Sequence, residues 1–319
     1  MQDKRIKIAK NILLNNLSVK LGEKVLILID SSKEEIGNIF YEASELLGAV
    51  SFLLKFKQTG KSGEEPPFII GEVMRKVDVV LCITKHSISH TQARKNAVKS
   101  LSRVGTMPGL TIDMLDKGAL HADYNLIKKR GKVIKEKLDI GRKVLVITGN
   151  GKYQLSFDIT DRKSKVSSGL LQNPGDSGNL PSGETFIAPI EETGNGKILI
   201  DGSIAGIGLL KTPILLTISN GKLIDVAGED SEILLNMLGE GNGRQLGELG
   251  IGLNDHSIFT GKILEDEKKY GTCHIAFGTN NTFGGRIKAN VHIDLVTLYP
   301  EIIVDDNTIL TNGNLNLKK

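Results

Sequence analysis

The sequence predicts an α/β N-terminal domain with a parallel sheet, followed by an α+β C-terminal domain whose strands are mixed or antiparallel. Apolar runs that alternate with helical segments predict the parallel sheet, because parallel strands need crossover connections that cover it. Tight turns between the later strands, such as Asn220-Gly221, are typical of hairpins. A chain of 319 residues suits two cores better than one. We place the domains at residues 1–140 and 141–319.

The elements of the first domain follow from their apolar periodicity and their end signals. The continuous apolar run "KVLILID" predicts a strand buried on both faces. Ser32 and Glu35 have the spacing of a capping box, so we expect a helix directly after this strand. The expected elements are helices over 1–20, 32–47, 90–105 and 123–138, and strands over 24–30, 49–56 and 77–83.

The second domain differs in its predicted secondary structure, which consists of short strands, close turns and one short helix. Residues 168–183 are rich in Gly, Pro and Ser and predict a long loop, a feature that is often functional in compact domains. The expected elements are strands over 143–149, 153–160 and 197–204, a hairpin over 214–228, and a helix over 231–239.

Composition and charge exclude several classes of protein. The net charge is only +4, and the basic residues of 128–137 have the spacing of a solvated helix face, so we expect no nucleic-acid partner. The chain has no secretory signal and no apolar run of about 18 residues, which predicts no membrane span. Cys82 and Cys273 share no metal or redox spacing, so we expect a reduced, cytoplasmic location.

Histidines and acids in apolar strands are the chemical signal of this sequence. In "VHIDLV", His292 and Asp294 lie two residues apart and therefore project from the same face of a strand. In "CHIAFG", His274 shares its face with Ala276 and Gly278, which leaves room above the strand. These side chains could bind one cation. The alternatives are a His–Asp pair that stabilises a strand surface and a histidine satisfied within the core.

Two glutamates also stand in unusual surroundings. Glu184 follows a glycine turn and precedes an apolar strand, and Glu248 lies in a glycine-flanked, uncharged run. A buried carboxylate without a partner is costly, and a cation would remove that cost. Alternatively, each glutamate caps a backbone nest or pairs with Arg244 or Arg286.

Together these side chains offer two imidazoles and three carboxylates, which suits two divalent ions that share a carboxylate. Two such ions can polarise a carbonyl and hold a hydroxide that attacks an amide. Nitrogen and carboxylate ligands without cysteine favour Zn, Co or Mn.

The chain resembles the M29 family of metallo-aminopeptidases, the aminopeptidase T type, over nearly its whole length. The resemblance rests on "LSVKLGEKVLI", "LPSGETFIAP", "LGELGIG", and "HIAFG" followed by "HIDLV", in this order. It implies a homodimer that releases N-terminal residues from small peptides. The residues that match the dinuclear metal ligands of the family are Glu184, Glu248, His274, His292 and Asp294.

The chain departs from this family pattern at a catalytic position. The family has a tyrosine shortly after its first motif histidine, where this chain has Asn281, and the nearby Phe283 lacks a hydroxyl. The chain is also shorter than the usual members of the family. Glu267 or Tyr270, in "LEDEKKYG", could replace the missing proton donor, and we assign Glu267 this catalytic role. The alternative is that this acidic cluster is a solvated helix end.

The sequence leaves three functions open. The first is the two-metal aminopeptidase. The second uses His274, His292 and Asp294 as a two-histidine, one-carboxylate set, which suits a single non-haem Fe(II) and O₂. Ring-cleaving dioxygenases for dihydroxypyridines resemble the same superfamily, and this resemblance implies such an activity. The third is a binding module with a relic site. His86 and His90, four residues apart, either cap and pack a helix or contact the substrate.

Overall fold

The computed structural model describes residues 2–318, which form two compact units. The first unit contains the chain up to Tyr124 together with Gly169–Ser182, and the second contains Asn125–Ser168 and the chain from Gly183 onward. The division therefore differs from a single boundary near residue 140. The helix that ends near residue 140 belongs with the second unit, because Gly131 lies against Val166 and its carbonyl accepts a hydrogen bond from Thr185.

Each segment that the sequence predicts to be helical contains an α-helix. They are α1 (Gln2–Asn11), α2 (Glu34–Glu45), α3 (Phe68–Met74), α4 (Gln92–Lys99), α5 (Tyr124–Ile140), α6 (Ser231–Leu238) and α7 (Ile263–Asp266). The predicted capping box does not form, because the Ser32 hydroxyl donates to Asp30 Oδ1 at 2.6 Å instead. The helix expected to reach Gly105 ends at Lys99. Two residues later, Leu101 has a φ of 69°, which is not helical.

The first unit contains a parallel sheet, as predicted. Its strands are β1 (Lys24–Asp30), β2 (Val50–Phe56), β3 (Val79–Ile83), β4 (Arg103–Thr106) and β8 (Ser177–Asn179), in the order β2-β1-β3-β4-β8. All neighbouring pairs are parallel. The apolar run of β1 is buried from Val25 onward, as expected for a strand covered on both faces. The segment predicted as a long loop supplies β8 to this sheet.

The second unit contains an eight-stranded antiparallel sheet. Its strands are β5 (Lys143–Thr148), β6 (Tyr153–Asp158), β10 (Asn195–Ile200), β13 (Ile214–Ser219), β14 (Lys222–Ala227), β18 (Glu301–Val304), β19 (Asn307–Thr311) and β20 (Asn314–Leu315). The predicted hairpin is present, because Asn220 and Gly221 both have positive φ and join β13 to β14.

A seven-stranded antiparallel sheet completes the second unit. Its strands are β7 (Lys165–Ser167), β9 (Glu184–Ile187), β11 (Ser203–Ile204), β12 (Gly208–Leu209), β15 (Leu246–Gly252), β16 (Cys273–Gly278) and β17 (His292–Thr297), in the order β12-β11-β17-β16-β15-β9-β7. The two-part α/β and α+β fold class is confirmed. Within residues 2–318 no helix has the length and apolar character needed to cross a membrane.

Candidate metal centre

The five candidate ligands project from one face of the seven-stranded sheet. Four adjacent strands, β9, β15, β16 and β17, carry them, although they are spread over 111 residues of the sequence, from 184 to 294. Ala276 pairs with Glu248 on one side and with Asp294 on the other. Glu184 pairs with Gly252, two residues beyond Gly250, which is the partner of His274. Since residues two apart in a strand share a face, all five side chains meet above small residues.

The distances between each imidazole and its two neighbouring carboxylates fit a bound cation. His274 Nε2 lies 3.4 Å from Glu184 Oε2 and 3.5 Å from Glu248 Oε1. His292 Nε2 lies 3.3 Å from Glu248 Oε2 and 3.3 Å from Asp294 Oδ1. Ligand atoms that each lie about 2.1 Å from the same ion are separated by roughly 3.0–3.4 Å in octahedral or tetrahedral geometry. The donor types and their spacing therefore suit a metal ion such as Zn, Mn or Fe.

A glycine makes room for the first imidazole. An added Cβ at Gly250 would lie 1.9 Å from His274 Nε2 and 2.1 Å from Cε1, so only glycine allows the ring to lie across β15. His274 is 1% exposed and packs directly on this backbone. The apolar-looking glycine run of β15 is thus part of the site.

The hydrogen bond at the second imidazole sets its tautomer. His292 Nδ1 lies 2.8 Å from the carbonyl oxygen of Thr279, which can only accept, so Nδ1 carries a proton and Nε2 faces the carboxylates. This is the usual arrangement of a metal-ligating histidine. Nδ1 of His274, in contrast, is buried and has no hydrogen-bond partner within the described part of the chain.

A buried lysine, which the sequence analysis missed, also reaches this cluster. The Lys268 ammonium donates to Glu184 Oε1 at 2.8 Å and also contacts Glu267 Oε1. These two carboxylates raise the pKa of Lys268 and outweigh its burial, so the side chain stays charged. The sequence held no signal for this contact, because Lys268 follows an acidic run that resembles a solvated helix end.

The structure brings Glu267 into the same cluster. Glu267 is 8% exposed, which excludes the solvated helix end considered from the sequence. Carboxylate and imidazole atoms of Glu267, His274 and Asp294 lie within 4.8 Å of one another. Tyr270, the other candidate donor, instead faces the guanidinium of Arg130 at 4.8 Å.

The remaining sequence candidates have other partners or a conformation that differs from the one expected. Arg244 bonds Glu240 at 2.7 Å, so it is not the partner considered for the buried glutamates. Asn281 is exposed and accepts a hydrogen bond from Thr279 at 3.2 Å. His86 and His90 both precede α4 and belong to the first unit, so the helical spacing considered for them does not exist.

Opposite charges shift the pKa values throughout the cluster. Burial alone would lower the pKa of His274, but Glu248 and the other carboxylates raise it to about 9. The pKa of His292 rises well above its usual value because Asp294 outweighs burial. Burial alone would raise the pKa of Asp294 and of Glu248, but the imidazoles hold the pKa of both carboxyl groups below the usual range. Burial raises the pKa of Glu267 to about 8.

These shifts predict how the metal-free protein responds to pH. Because the pKa of His274 is raised, this residue contributes its full stabilisation of the fold below pH 6.5, its unfolded value. The contribution is lost as the pH rises toward about 9. Glu267 acts in the same direction up to about 8. We expect the Tm of chelator-treated protein to fall across this window, whereas a bound cation replaces the protons and removes the decline. Thermal scans of chelator-treated and metal-loaded protein would measure this, and a Tm that rises without metal would contradict it.

Comparisons with known proteins agree on the fold. A family model described as NicX, 2,5-dihydroxypyridine 5,6-dioxygenase, matches residues 7–317. The structure of a 2,5-dihydroxypyridine dioxygenase from Pseudomonas putida KT2440 matches with a TM-score of 0.85 and 16% identity, over 100% of this chain and 99% of that one. Wild-type AmpT from Thermus thermophilus matches with a TM-score of 0.71 and 16% identity, over 98% and 99%. At this identity both likenesses show the fold alone. A search of curated proteins gives no match.

Proposed function

The chain belongs to the NicX family, 2,5-dihydroxypyridine 5,6-dioxygenase, and from this membership we propose that it is a ring-cleaving dioxygenase dependent on one Fe(II) ion. The predicted aminopeptidase function is wrong: the family model that spans the chain describes a dioxygenase, not a leucyl aminopeptidase or another hydrolase. The same finding overturns the peptide substrate and a role in proteolysis. What holds from that prediction is the shared fold and a metal-binding cluster.

One observation carries the proposal. Glu248 lies within 3.5 Å of Nε2 of both His274 and His292, and Asp294 lies 3.3 Å from His292 Nε2, within a fold that the family model covers almost completely. Two histidines and one carboxylate are the set found in non-haem Fe(II) oxygenases, which keep other coordination positions open. An Fe(II) ion held there would supply the redox chemistry by which O₂ reacts with a hydroxylated ring.

The lysine supports one ion rather than two. The Lys268 ammonium contacts the carboxyl groups of Glu184 and Glu267, whereas those of Glu248 and Asp294 contact the imidazoles. Because this ammonium bonds Glu184 and Glu267, it gives both a cationic partner without a second metal. Glu248 lies between the two imidazole Nε2 atoms and completes the surroundings of a single divalent ion.

Within this proposal Glu267 handles a proton. Burial raises its pKa, so the carboxyl group holds its proton to a higher pH than an exposed glutamate does, which suits general acid or base work on a substrate hydroxyl. Lys268 holds the Glu267 carboxylate from one side, so its orientation is fixed before the substrate arrives.

Anaerobic purification followed by Fe(II) loading tests this function. We expect one iron per chain, consumption of one O₂ for each 2,5-dihydroxypyridine, and both atoms of ¹⁸O₂ in the opened product, since a dioxygenase needs no external reductant. Zn(II)-loaded protein is the matched control and should not consume O₂. Protein that holds Fe(II) but leaves 2,5-dihydroxypyridine intact would overturn the proposal.

A further inference from the structure

Two phenyl rings stand beside the metal-binding cluster. The ring of Phe283 meets the ring of Phe186 edge-on, with centroids 5.3 Å apart and an interplanar angle of 81°. Phe283 also meets the imidazole of His292 at 6.0 Å and 88°. Both phenylalanines are only half-buried, so part of each ring faces away from the core.

Their positions relative to the sheet put these rings over the small residues of the site. Phe186 is two residues after Glu184 in β9 and pairs with Gly250, so it projects from the same face as the candidate ligands. Phe283 belongs to the turn between β16 and β17, and its ring contacts both the Phe186 ring and the His292 imidazole. The two phenyl rings therefore lie beside the glycine and alanine residues of this sheet face.

The turn that carries Phe283 is held at several points. Lys165 Nζ donates to the Thr282 carbonyl at 3.0 Å, and the Arg162 guanidinium contacts the Gly284 carbonyl. Glu191 accepts from the Arg286 amide at 2.7 Å and pairs with Arg162. These bonds flank Phe283 on both sides, so the ring is positioned by the chain rather than by the contact with Phe186 alone.

We infer that Phe283 and Phe186 form the surface against which the aromatic ring of the substrate packs, and that they make the site selective for flat hydroxylated rings. The inference rests on the proposed dioxygenase function and goes beyond it by assigning specificity to these two side chains. Ring–ring contacts stabilise offset or edge-to-face pairs beyond simple burial. An aliphatic ring of similar size cannot make such contacts, because it has no π system and is not flat.

Binding without O₂ separates this role from turnover. Calorimetric titration of Fe(II)-loaded protein with 2,5-dihydroxypyridine under nitrogen measures affinity alone, and trans-cyclohexane-1,2-diol serves as the non-planar probe. We expect Phe283→Leu and Phe186→Leu each to weaken binding of the pyridine about 3- to 10-fold, the size expected for loss of one aromatic contact. Affinity for the diol should not change. Phe283→Tyr, which keeps the ring, should bind the pyridine like the wild type.

Phe68→Leu is the matched control, because Phe68 is 82% exposed and lies in the first unit. Iron content and Tm identify any variant that has lost its fold, and two leucine variants and the tyrosine variant give independent readings. Wild-type affinity for 2,5-dihydroxypyridine in folded, iron-loaded leucine variants would overturn the inference. A wild-type protein that binds iron but not the pyridine would overturn the proposed function itself.

Discussion

His274→Ala is expected to remove iron from the protein and with it all measurable dioxygenase activity. His274 Nε2 lies 3.4 Å from Glu184 and 3.5 Å from Glu248, and its ring is fully enclosed. Changes to residues that merely support a metal ligand cost about 10- to 100-fold in affinity, so loss of a ligand should cost at least about 100-fold.

Iron content after anaerobic loading and the rate of O₂ uptake measure this effect. His256→Ala is the matched control, since His256 is exposed and belongs to neither of the metal-binding groups found among residues 2–318. It should retain one iron per chain and wild-type activity. If His274→Ala were folded and still held stoichiometric iron, the imidazole would not be a ligand.

Gly250→Ala is expected to have nearly as large an effect without removing any functional group. The added methyl would lie 1.9 Å from His274 Nε2, so either the imidazole or the strand must move. The strand is held on both sides, because Gly250 pairs with His274 in β16 and with Phe186 in β9. The imidazole must therefore turn away from the metal position. We expect iron affinity to fall about 100-fold.

Metal-binding isotherms for Gly250→Ala, together with circular dichroism, separate a displaced ligand from a lost fold. Gly60→Ala is the control, because its added Cβ would meet only the flexible end of the Glu64 side chain, at 3.2 Å. Wild-type iron affinity in a folded Gly250→Ala protein would mean that the imidazole in the native site does not lie across β15 as described.

The strand pattern was sufficient to predict which side chains share a face. His292 and Asp294 are two residues apart in a regular strand, and His274 lies in a strand with small neighbours, so alternation alone placed them. The pairing of these strands also brings in Glu184 and Glu248, whose glycine-flanked surroundings made them candidates and which the family resemblance then matched to metal ligands. Their role as metal ligands stays a prediction, as do the homodimer and the absence of a nucleic-acid partner.

Other features depended on contacts that the local sequence does not encode. Lys268 meets Glu184, which is 84 residues away, so nothing in the "DEKKYG" run distinguishes it from a solvated helix end. The strand Arg103–Thr106 was missed because helical periodicity continues past Leu101, where the positive φ ends the helix. The ligand set alone did not decide between peptide hydrolysis and ring cleavage, because both chemistries use imidazole and carboxylate donors. The family match contradicts the first chemistry and supports the second.

Anomalous diffraction at the iron edge, from crystals loaded with Fe(II) under nitrogen, tests the metal centre most directly. We predict one iron peak per chain, at about 2.0–2.2 Å from Nε2 of His274, Nε2 of His292 and a carboxylate oxygen of Asp294. The Lys268 ammonium should remain on Glu184. Two peaks, or a single peak away from the two imidazoles, would contradict a mononuclear iron site built by these three side chains.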